Sequence, residues 1–250
     1  MSPILSLGPF SVSIPPLLAV LAGWLGLGVL AKVGGRLGLS EERTWNLGVV
    51  ALAAALIVAR FAHVVQFWPL YRGDPWLLVS IRPGGLLLGP GLVAAGVAGY
   101  GYMLLRRMAP LPVLAALACA LLVAGALLEV GAFLTGRVLG TPTSLPWGVA
   151  SFDAIRHPVG LYRAGGMGLL AGLLWWRGDV DRPSRFLGQA LLGYGLLRLV
   201  ADAFVANPET VAGIRVSQLL GFLGALVAAL LLARWGRAPD SASDMAHVNT

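Results

Sequence analysis

Charged residues are scarce in this chain: Asp, Glu, Lys and Arg make up 12% of its 250 residues, whereas hydrophobic residues make up 58%. A soluble domain carries about 25% charged residues, so this composition excludes an ordinary water-soluble globule. It also excludes a disordered chain, because such chains are poor in apolar residues and rich in charge. The composition therefore indicates a polytopic membrane protein.

Cysteine and histidine are also rare, with one Cys and three His. A single cysteine, Cys119, excludes an internal disulfide and any multi-cysteine metal site. It lies in the apolar run 115–126, where we interpret it as a packing thiol rather than a nucleophile. His63, His157 and His247 are far apart in the chain and form no metal-ligand pattern. We therefore expect neither a metal nor a cofactor.

Long apolar runs dominate the sequence, and a membrane-spanning helix needs about 20 apolar residues. They predict an all-α polytopic membrane protein with seven transmembrane helices, at 15–31, 45–68, 84–105, 110–131, 158–176, 186–206 and 214–233. We assign residues 1–237 to this domain and residues 238–250 to a disordered cytoplasmic tail. The long connection 132–157 is either a rim that faces a substrate or only a link.

Basic residues are distributed unevenly over the predicted loops. The net charge of +7 would suggest nucleic acid in a soluble protein, but here the basic residues flank apolar spans and orient them. The loops after spans one, three, five and seven carry Lys32, Arg36, Arg43, Arg106, Arg107, Arg177, Arg182, Arg185, Arg234 and Arg237, against Arg72, Arg82, Arg137, Arg156 and Arg215 on the other side. This asymmetry places the N-terminus outside and the C-terminus in the cytoplasm, and we expect no nucleic-acid partner.

Some charges fall inside the predicted spans, where each costs about 2.5–3.5 kcal/mol and so needs a partner or a water-filled cavity. Arg198 and Asp202 are four residues apart in span six, so they share a helical face and can pair. Tyr194 lies one turn earlier on that face. Either the pair only locks helices together, or the three side chains face one anion site. A guanidinium binds phosphate bidentately and stays protonated, so an anionic phospholipid headgroup is the ligand we favour.

Four other polar residues lie within or at the edge of spans. Arg60 either offers a second guanidinium to the phosphate or reaches out to the membrane interface. His63, three residues later, is more typical of an interfacial residue than of a base. Arg163 and Glu129 are further charges at this depth.

Short motifs occur along the chain in a particular order. Residues 156–162 read Arg-His-Pro-Val-Gly-Leu-Tyr, and residues 193–198 read Gly-Tyr-Gly-Leu-Leu-Arg. Residues 131–136, Gly-Ala-Phe-Leu-Thr-Gly, precede Leu-Pro-Trp at 145–147. In this order they resemble the prolipoprotein diacylglyceryl transferase family, with its Arg-His-Pro-Ser-Gln-Leu-Tyr and Gly-Asn-Phe-Ile-Asn-Gly motifs. The resemblance covers about residues 5–235, and the seven spans and outer N-terminus of the family agree with the predicted topology.

The chain departs from the family at several polar positions. Gly89 stands where the family's His-Gly-Gly-Leu motif has histidine, and Glu129 stands where an arginine precedes the signature. Arg137 replaces a glutamate, so Glu129 and Arg137 look like an exchange of charges that would keep a pair of reversed polarity. The other replacements are Pro15 for tyrosine, Ala132 and Thr135 for two asparagines, Asp202 for glutamate and Val205 for arginine.

The resemblance implies transfer of diacylglyceryl from phosphatidylglycerol to the cysteine thiol of a lipoprotein precursor in the bacterial plasma (inner) membrane, with release of glycerol phosphate. The catalytic residues it implies are Arg198, Tyr194 and Glu129. The substrate-binding residues it implies are Arg60, Asp202, Arg137, Gly89, Gly136, His157 and Tyr162. With the family's histidine missing, activation of the thiol is left to Glu129, Asp202, Tyr194 or His63.

Two hypotheses follow for the function. The first is an active, divergent diacylglyceryl transferase. The second is a catalytically degenerate relative that binds phospholipid or lipoprotein precursor without turnover. A transporter is less favoured, because no parallel between two halves of the chain is visible.

Overall fold

Seven long helices dominate the computed structural model, which describes residues 4–7, 10–73, 75–78, 85–151 and 154–236. The helices are α1 (Ile14–Arg36), α2 (Glu41–Gln66), the one-turn α3 (Trp68–Tyr71), α4 (Leu88–Leu105), α5 (Pro110–Leu134), α6 (Val159–Arg177), α7 (Pro183–Ala201) and α8 (Val216–Gly236). Each predicted segment falls on one long helix. The predicted and observed helix ends differ by at most five residues. The largest differences are at the end of α1, observed at 36 and predicted at 31, and at the end of α7, observed at 201 and predicted at 206. The predicted tail, 238–250, lies outside the described residues.

Five of these helices are long and apolar enough to cross a membrane: α1, α2, α4, α5 and α8. The other two long helices, α6 and α7, have 19 residues each. Each of them carries two arginines, Arg163 and Arg177 in α6 and Arg185 and Arg198 in α7. The fold is therefore that of a membrane protein with several spans, and α6 and α7 each carry one buried or half-buried arginine, Arg163 and Arg198.

Proline and glycine mark the ends of the helices. Proline occupies the first turn of α1, α5 and α7, where its missing N–H has no intrahelical partner to lose. Gly136 follows the end of α5 with a φ of +65°, a conformation that favours glycine. The N–H of Arg137 then donates to the carbonyl of Ala132, which closes the helix end.

Short antiparallel hairpins, which the all-α prediction did not include, lie before α1 and in two of the connections. They are β1 (Ile4–Leu7) with β2 (Phe10–Ser13), β3 (Val149–Ser151) with β4 (Ala154–Arg156), and β5 (Thr210–Val211) with β6 (Ile214–Arg215). In register, Ile4 pairs with Ser13, Val149 with Arg156, and Thr210 with Arg215.

The segment 139–143 joins the second hairpin to the end of α7. His157 N donates to the carbonyl of Thr141, and Thr141 N donates to the carbonyl of Phe204. The long connection 132–157 is therefore fastened over the end of α7. We call this side of the bundle, which carries residues 67–73, 75–78, 85–87, 135–151, 154–158 and 202–215, the long-loop end.

The apolar core lies where α1, α5, α6 and α7 meet. Val33, Ala115 and Phe186 are fully buried there, and Cys119 is 1% exposed. The interpretation of Cys119 as a packing thiol is consistent with this position.

The contact between α7 and α8 is made by two glycines. A Cβ built on Gly195 would lie 2.7 Å from the carbonyl oxygen of Gly221 and 2.8 Å from the backbone nitrogen of Ala225. A Cβ built on Gly221 would lie 3.0 Å from the carbonyl oxygen of Gly195. Small residues allow such close approach of helices in membranes, so the two backbones touch directly at this level.

We expect Gly195→Ala to lower the free energy of unfolding by about 1–3 kcal/mol, because the added methyl group overpacks a backbone contact. The matched control is Gly224→Ala, whose Cβ would meet nothing within 4 Å. Thermal unfolding in detergent measures both variants, and equal melting temperatures would contradict the close contact.

Candidate functional site

Four charged side chains from three helices meet near the long-loop end. Glu129 lies in the last two turns of α5, Arg163 in the second turn of α6, and Arg198 in the last turn of α7, which ends directly before Asp202. We call these four residues the charge quartet. Each helix thus contributes a charge about one turn inside its loop-proximal end.

Asp202 is the centre of the quartet and binds both arginines. Its Oδ1 accepts from Arg163, with Nε at 2.8 Å and Nη2 at 2.5 Å. Its Oδ2 accepts from Arg198, with Nε at 2.9 Å and Nη2 at 2.8 Å. The predicted pair between Arg198 and Asp202 is therefore present, and Arg163 forms a second ion pair with the same carboxylate.

Glu129 lies on the other side of the two guanidinium groups. Its Oε1 is 3.5 Å from Nη1 of Arg163 and 4.0 Å from Nη1 of Arg198. Its Oε2 is buried and has no hydrogen-bond partner among the described residues. Two carboxylates and two guanidiniums give a neutral group, which lowers the cost of burying charge at this depth.

Two side chains of the β6–α8 region hold the end of α7 in place. Arg215 donates from Nη1 to the carbonyls of Asp202, at 3.1 Å, and Ala203, at 2.6 Å. Gln218 donates to the carbonyl of Leu199 at 3.0 Å. The carbonyls at the end of α7 therefore find donors on the neighbouring element, which fixes the position of Asp202.

A cavity of about 1000 Å³ opens beside the quartet between α7 and α8, and we call it the arginine cavity. Arg163 and Arg198 line its polar end, and Tyr194 lies one turn further along α7. Its apolar wall comes from α8. The residues of that wall are Val216, Leu220, Leu223, Gly224, Val227 and Ala228.

The residues of the arginine cavity differ in how they face it. Tyr194 is 38% exposed and makes no side-chain hydrogen bond within the described part of the chain. The Arg198 side chain is 24% exposed, whereas Asp202 is fully buried and lies behind the guanidinium groups. The expectation that the carboxylate also faces the cavity is thus wrong. The reason is that two guanidiniums occupy both of its oxygens.

Arg137 and Gly136 lie on the rim of the arginine cavity. Both are exposed, and among the described residues the Arg137 side chain has no ion pair. The expected pair of Glu129 with Arg137 is therefore not formed, since Arg163 and Arg198 lie next to Glu129 instead. The connection 132–157 forms a rim of the cavity through residues 136–139.

Arg60 and His63 belong to a separate cluster at the end of α2. Arg60 donates to the carbonyls of Gly85, at 3.1 Å, and Leu77, and it stacks on Tyr71 at 5.4 Å. The Tyr71 hydroxyl lies 3.0 Å from Nδ1 of His63. None of these residues lines the arginine cavity, so the structure does not bring Arg60 to Arg198.

Gly89 lies in the first turn of α4, where a Cβ would meet nothing within 4 Å. It does not line the arginine cavity either.

His157 and Tyr162 lie together under the long connection. The Tyr162 hydroxyl is 3.1 Å from Nδ1 of His157 and accepts from Nε1 of Trp147 at 2.9 Å. Phe204 packs on both rings. His157 also lines a second cavity of about 420 Å³, which shares Gly136 with the arginine cavity.

Arg163 is a site residue to which no motif pointed, although it lies in a predicted span. It is 7% exposed and touches both carboxylates of the quartet. A signal was available, because an arginine at membrane depth requires an acidic partner and only Glu129 and Asp202 occur in spans at this end.

Helices suited to a membrane, together with a cavity that has guanidiniums at one end and an apolar wall, define a multi-pass membrane protein. The chain belongs to the prolipoprotein diacylglyceryl transferase family, whose sequence model matches residues 3–234.

Among its relatives is the phosphatidylglycerol–prolipoprotein diacylglyceryl transferase of Clostridioides difficile (strain 630). It is 27% identical over 218 residues, which cover 84% of this chain and 86% of the relative. The enzyme of the same name from Finegoldia magna is 28% identical, with 83% and 84% covered. That from Chlamydia trachomatis serovar D is 31% identical, with 64% of each chain covered.

We expect Asp202→Asn to lower the free energy of unfolding by about 3–5 kcal/mol, because it leaves two arginines at membrane depth without their central carboxylate. The control is Glu41→Gln, which removes the carboxylate of the exposed pair with Lys32 at 3.0 Å. That change should cost less than about 1 kcal/mol. Thermal unfolding compares the two variants, and similar losses would show that Asp202 does not organise the site.

Proposed function

We propose that this protein transfers diacylglyceryl from phosphatidylglycerol to the cysteine thiol of a lipoprotein precursor. The observation that carries the proposal is the arginine cavity, in which Arg163 and Arg198 lie at one end of an apolar wall. A phospholipid has the same division, with an anionic phosphate at one end and hydrocarbon at the other. Family membership and the names of the relatives support this substrate and this reaction.

In this proposal α6 and α7 complete a set of seven transmembrane helices, with the N-terminus outside and the C-terminus in the cytoplasm of a bacterium. The excess of basic residues in the loops at the other end of the bundle supports this orientation. The arginine cavity then lies in the outer leaflet of the plasma membrane, where a secreted precursor presents its cysteine.

The reaction forms one bond and breaks one bond. The thiol sulfur attacks the carbon of the diacylglyceryl group that carries the phosphate, the bond between this carbon and the phosphate oxygen breaks, and its electron pair leaves with glycerol phosphate. The thiol proton goes to a base or to water. Arg198 and Arg163 stabilise the phosphate as charge develops on the leaving oxygen, because fixed donors in a site of low polarity act strongly on such charge.

The structure narrows the choice of proton acceptor. Both oxygens of Asp202 are bound by arginines, and His63 is bound to Tyr71 outside the cavity. Glu129 does not line the cavity, and its side chain lies against the two guanidiniums. Tyr194 lines the cavity one turn from Arg198. We propose that Tyr194 passes the thiol proton to water in the cavity and that Glu129 holds the two arginines in place.

The second candidate function is binding of phospholipid or precursor without turnover. It is favoured by Gly89, which stands where the family motif has a histidine. An assay with labelled phosphatidylglycerol and a cysteine peptide of a lipoprotein precursor separates the two functions. Thioether-linked lipid on the peptide supports the transferase, and tight lipid binding without product supports the binding protein.

We expect Arg198→Ala to lower kcat/KM by about 10²–10³, because it removes a donor to the developing charge. Arg198→Lys should retain part of the activity, since it keeps the charge and loses the bidentate geometry. Arg234→Ala, which removes an arginine at the opposite end of the bundle, is the control. Unchanged lipid affinity and activity in folded Arg198→Ala protein would leave the quartet as a purely structural ion pair.

We expect Tyr194→Phe to lower kcat by about 10²–10⁴, because a phenyl ring has no hydroxyl through which the thiol proton can pass. The Kd for phosphatidylglycerol should change little, since Asp202 still holds both guanidiniums. A large loss of lipid affinity with unchanged kcat would instead make Tyr194 a residue that only contacts the lipid.

A further inference from the structure

A third cavity, with a volume of about 580 Å³, lies on the side of α7 that faces away from α8. It lies between α5 and α7, with Met167 of α6 in its wall, and we call it the leucine cavity. Its lining includes Leu117, Leu121, Leu187 and Ala190. Apart from the Tyr194 hydroxyl, the side chains that line it are apolar.

The leucine cavity adjoins the arginine cavity along α7. Leu191 and Tyr194 line both cavities, so these two side chains form a ridge with one cavity on each side. Tyr194 lies one helical turn from Arg198. Both cavities therefore begin at the level of the guanidinium groups.

Both cavities run from that level towards the opposite end of the bundle. The arginine cavity follows α8 from Val216 to Ala228, a rise of about 18 Å at about 1.5 Å per residue. The leucine cavity follows α5 from Gly125 to Leu114, a rise of about 16 Å. Each length is close to half of the bilayer's hydrocarbon core of about 30 Å, which is the depth that one leaflet of lipid occupies.

We propose that the leucine cavity binds one acyl chain of the donor phospholipid while the other chain lies along α8 in the arginine cavity. The glyceryl group then crosses the ridge of Leu191 and Tyr194, with its phosphate on Arg198. This inference rests on the proposed function and deepens it: each chain of the donor has a cavity of its own, on either side of α7. An extended peptide does not suit the leucine cavity, because its backbone groups would find no hydrogen-bond partners there.

The test uses Ala118→Phe, which places a ring in the leucine cavity from the α5 side. The Kd values of dipalmitoyl phosphatidylglycerol and of its single-chain lyso form are measured by competition in detergent. Both lipids carry the same headgroup and differ only in chain number. The matched control is Ala53→Phe, which adds the same ring on the exposed side of α2.

We expect the wild-type protein to prefer the two-chain lipid, and Ala118→Phe to weaken its binding at least tenfold with little change for the lyso lipid. Leu121→Ala, at an exposed position of the wall, should weaken binding of the two-chain lipid several-fold. This variant keeps the proposal testable if Ala118→Phe does not fold. A wild-type preference retained in both folded variants, or an equal loss in Ala53→Phe, would overturn the proposal. Wild-type protein that binds both lipids but forms no thioether product would overturn the transferase function and leave the two-chain comparison valid.

Discussion

The structure depends on one carboxylate, that of Asp202, which is fully buried between guanidinium groups from two helices. A charge at membrane depth is tolerated only with a partner, and here each arginine finds the same one. The shared carboxylate sets the rotation of α6 relative to α7. It also leaves the Nη1 atoms of both arginines directed away from Asp202, on the side where Glu129 lies.

The charge quartet has no net charge, but only its two arginines line the arginine cavity. Two acids balance two arginines, so the group as a whole suits a bundle that offers little water. Neither acid of the quartet lines the arginine cavity, whereas Arg163 and Arg198 do. The part of the quartet that a ligand in this cavity meets is therefore cationic. Glu129, which departs from the family motif, balances part of the charge of Arg163 and Arg198.

Hydropathy predicted the positions of the long helices because an apolar run of sufficient length has few other solutions in lipid. The pair of Arg198 with Asp202 was also predictable, since a separation of four residues places both on one helical face. The partners of Glu129 were not, because they depend on how α5, α6 and α7 are rotated about their axes. The hairpins have strands of two to four residues, which is too short for a pattern of alternation to be recognised.

The direct backbone contact of Gly195 with Gly221 has a consequence for how substrates arrive. At that level the two backbones pack directly against each other, so the cavity that Gly195 and Gly221 line lies on the flank of this contact. Phospholipids and the finished lipid-linked precursor can enter and leave along this flank, so traffic through the site does not require the two helices to separate.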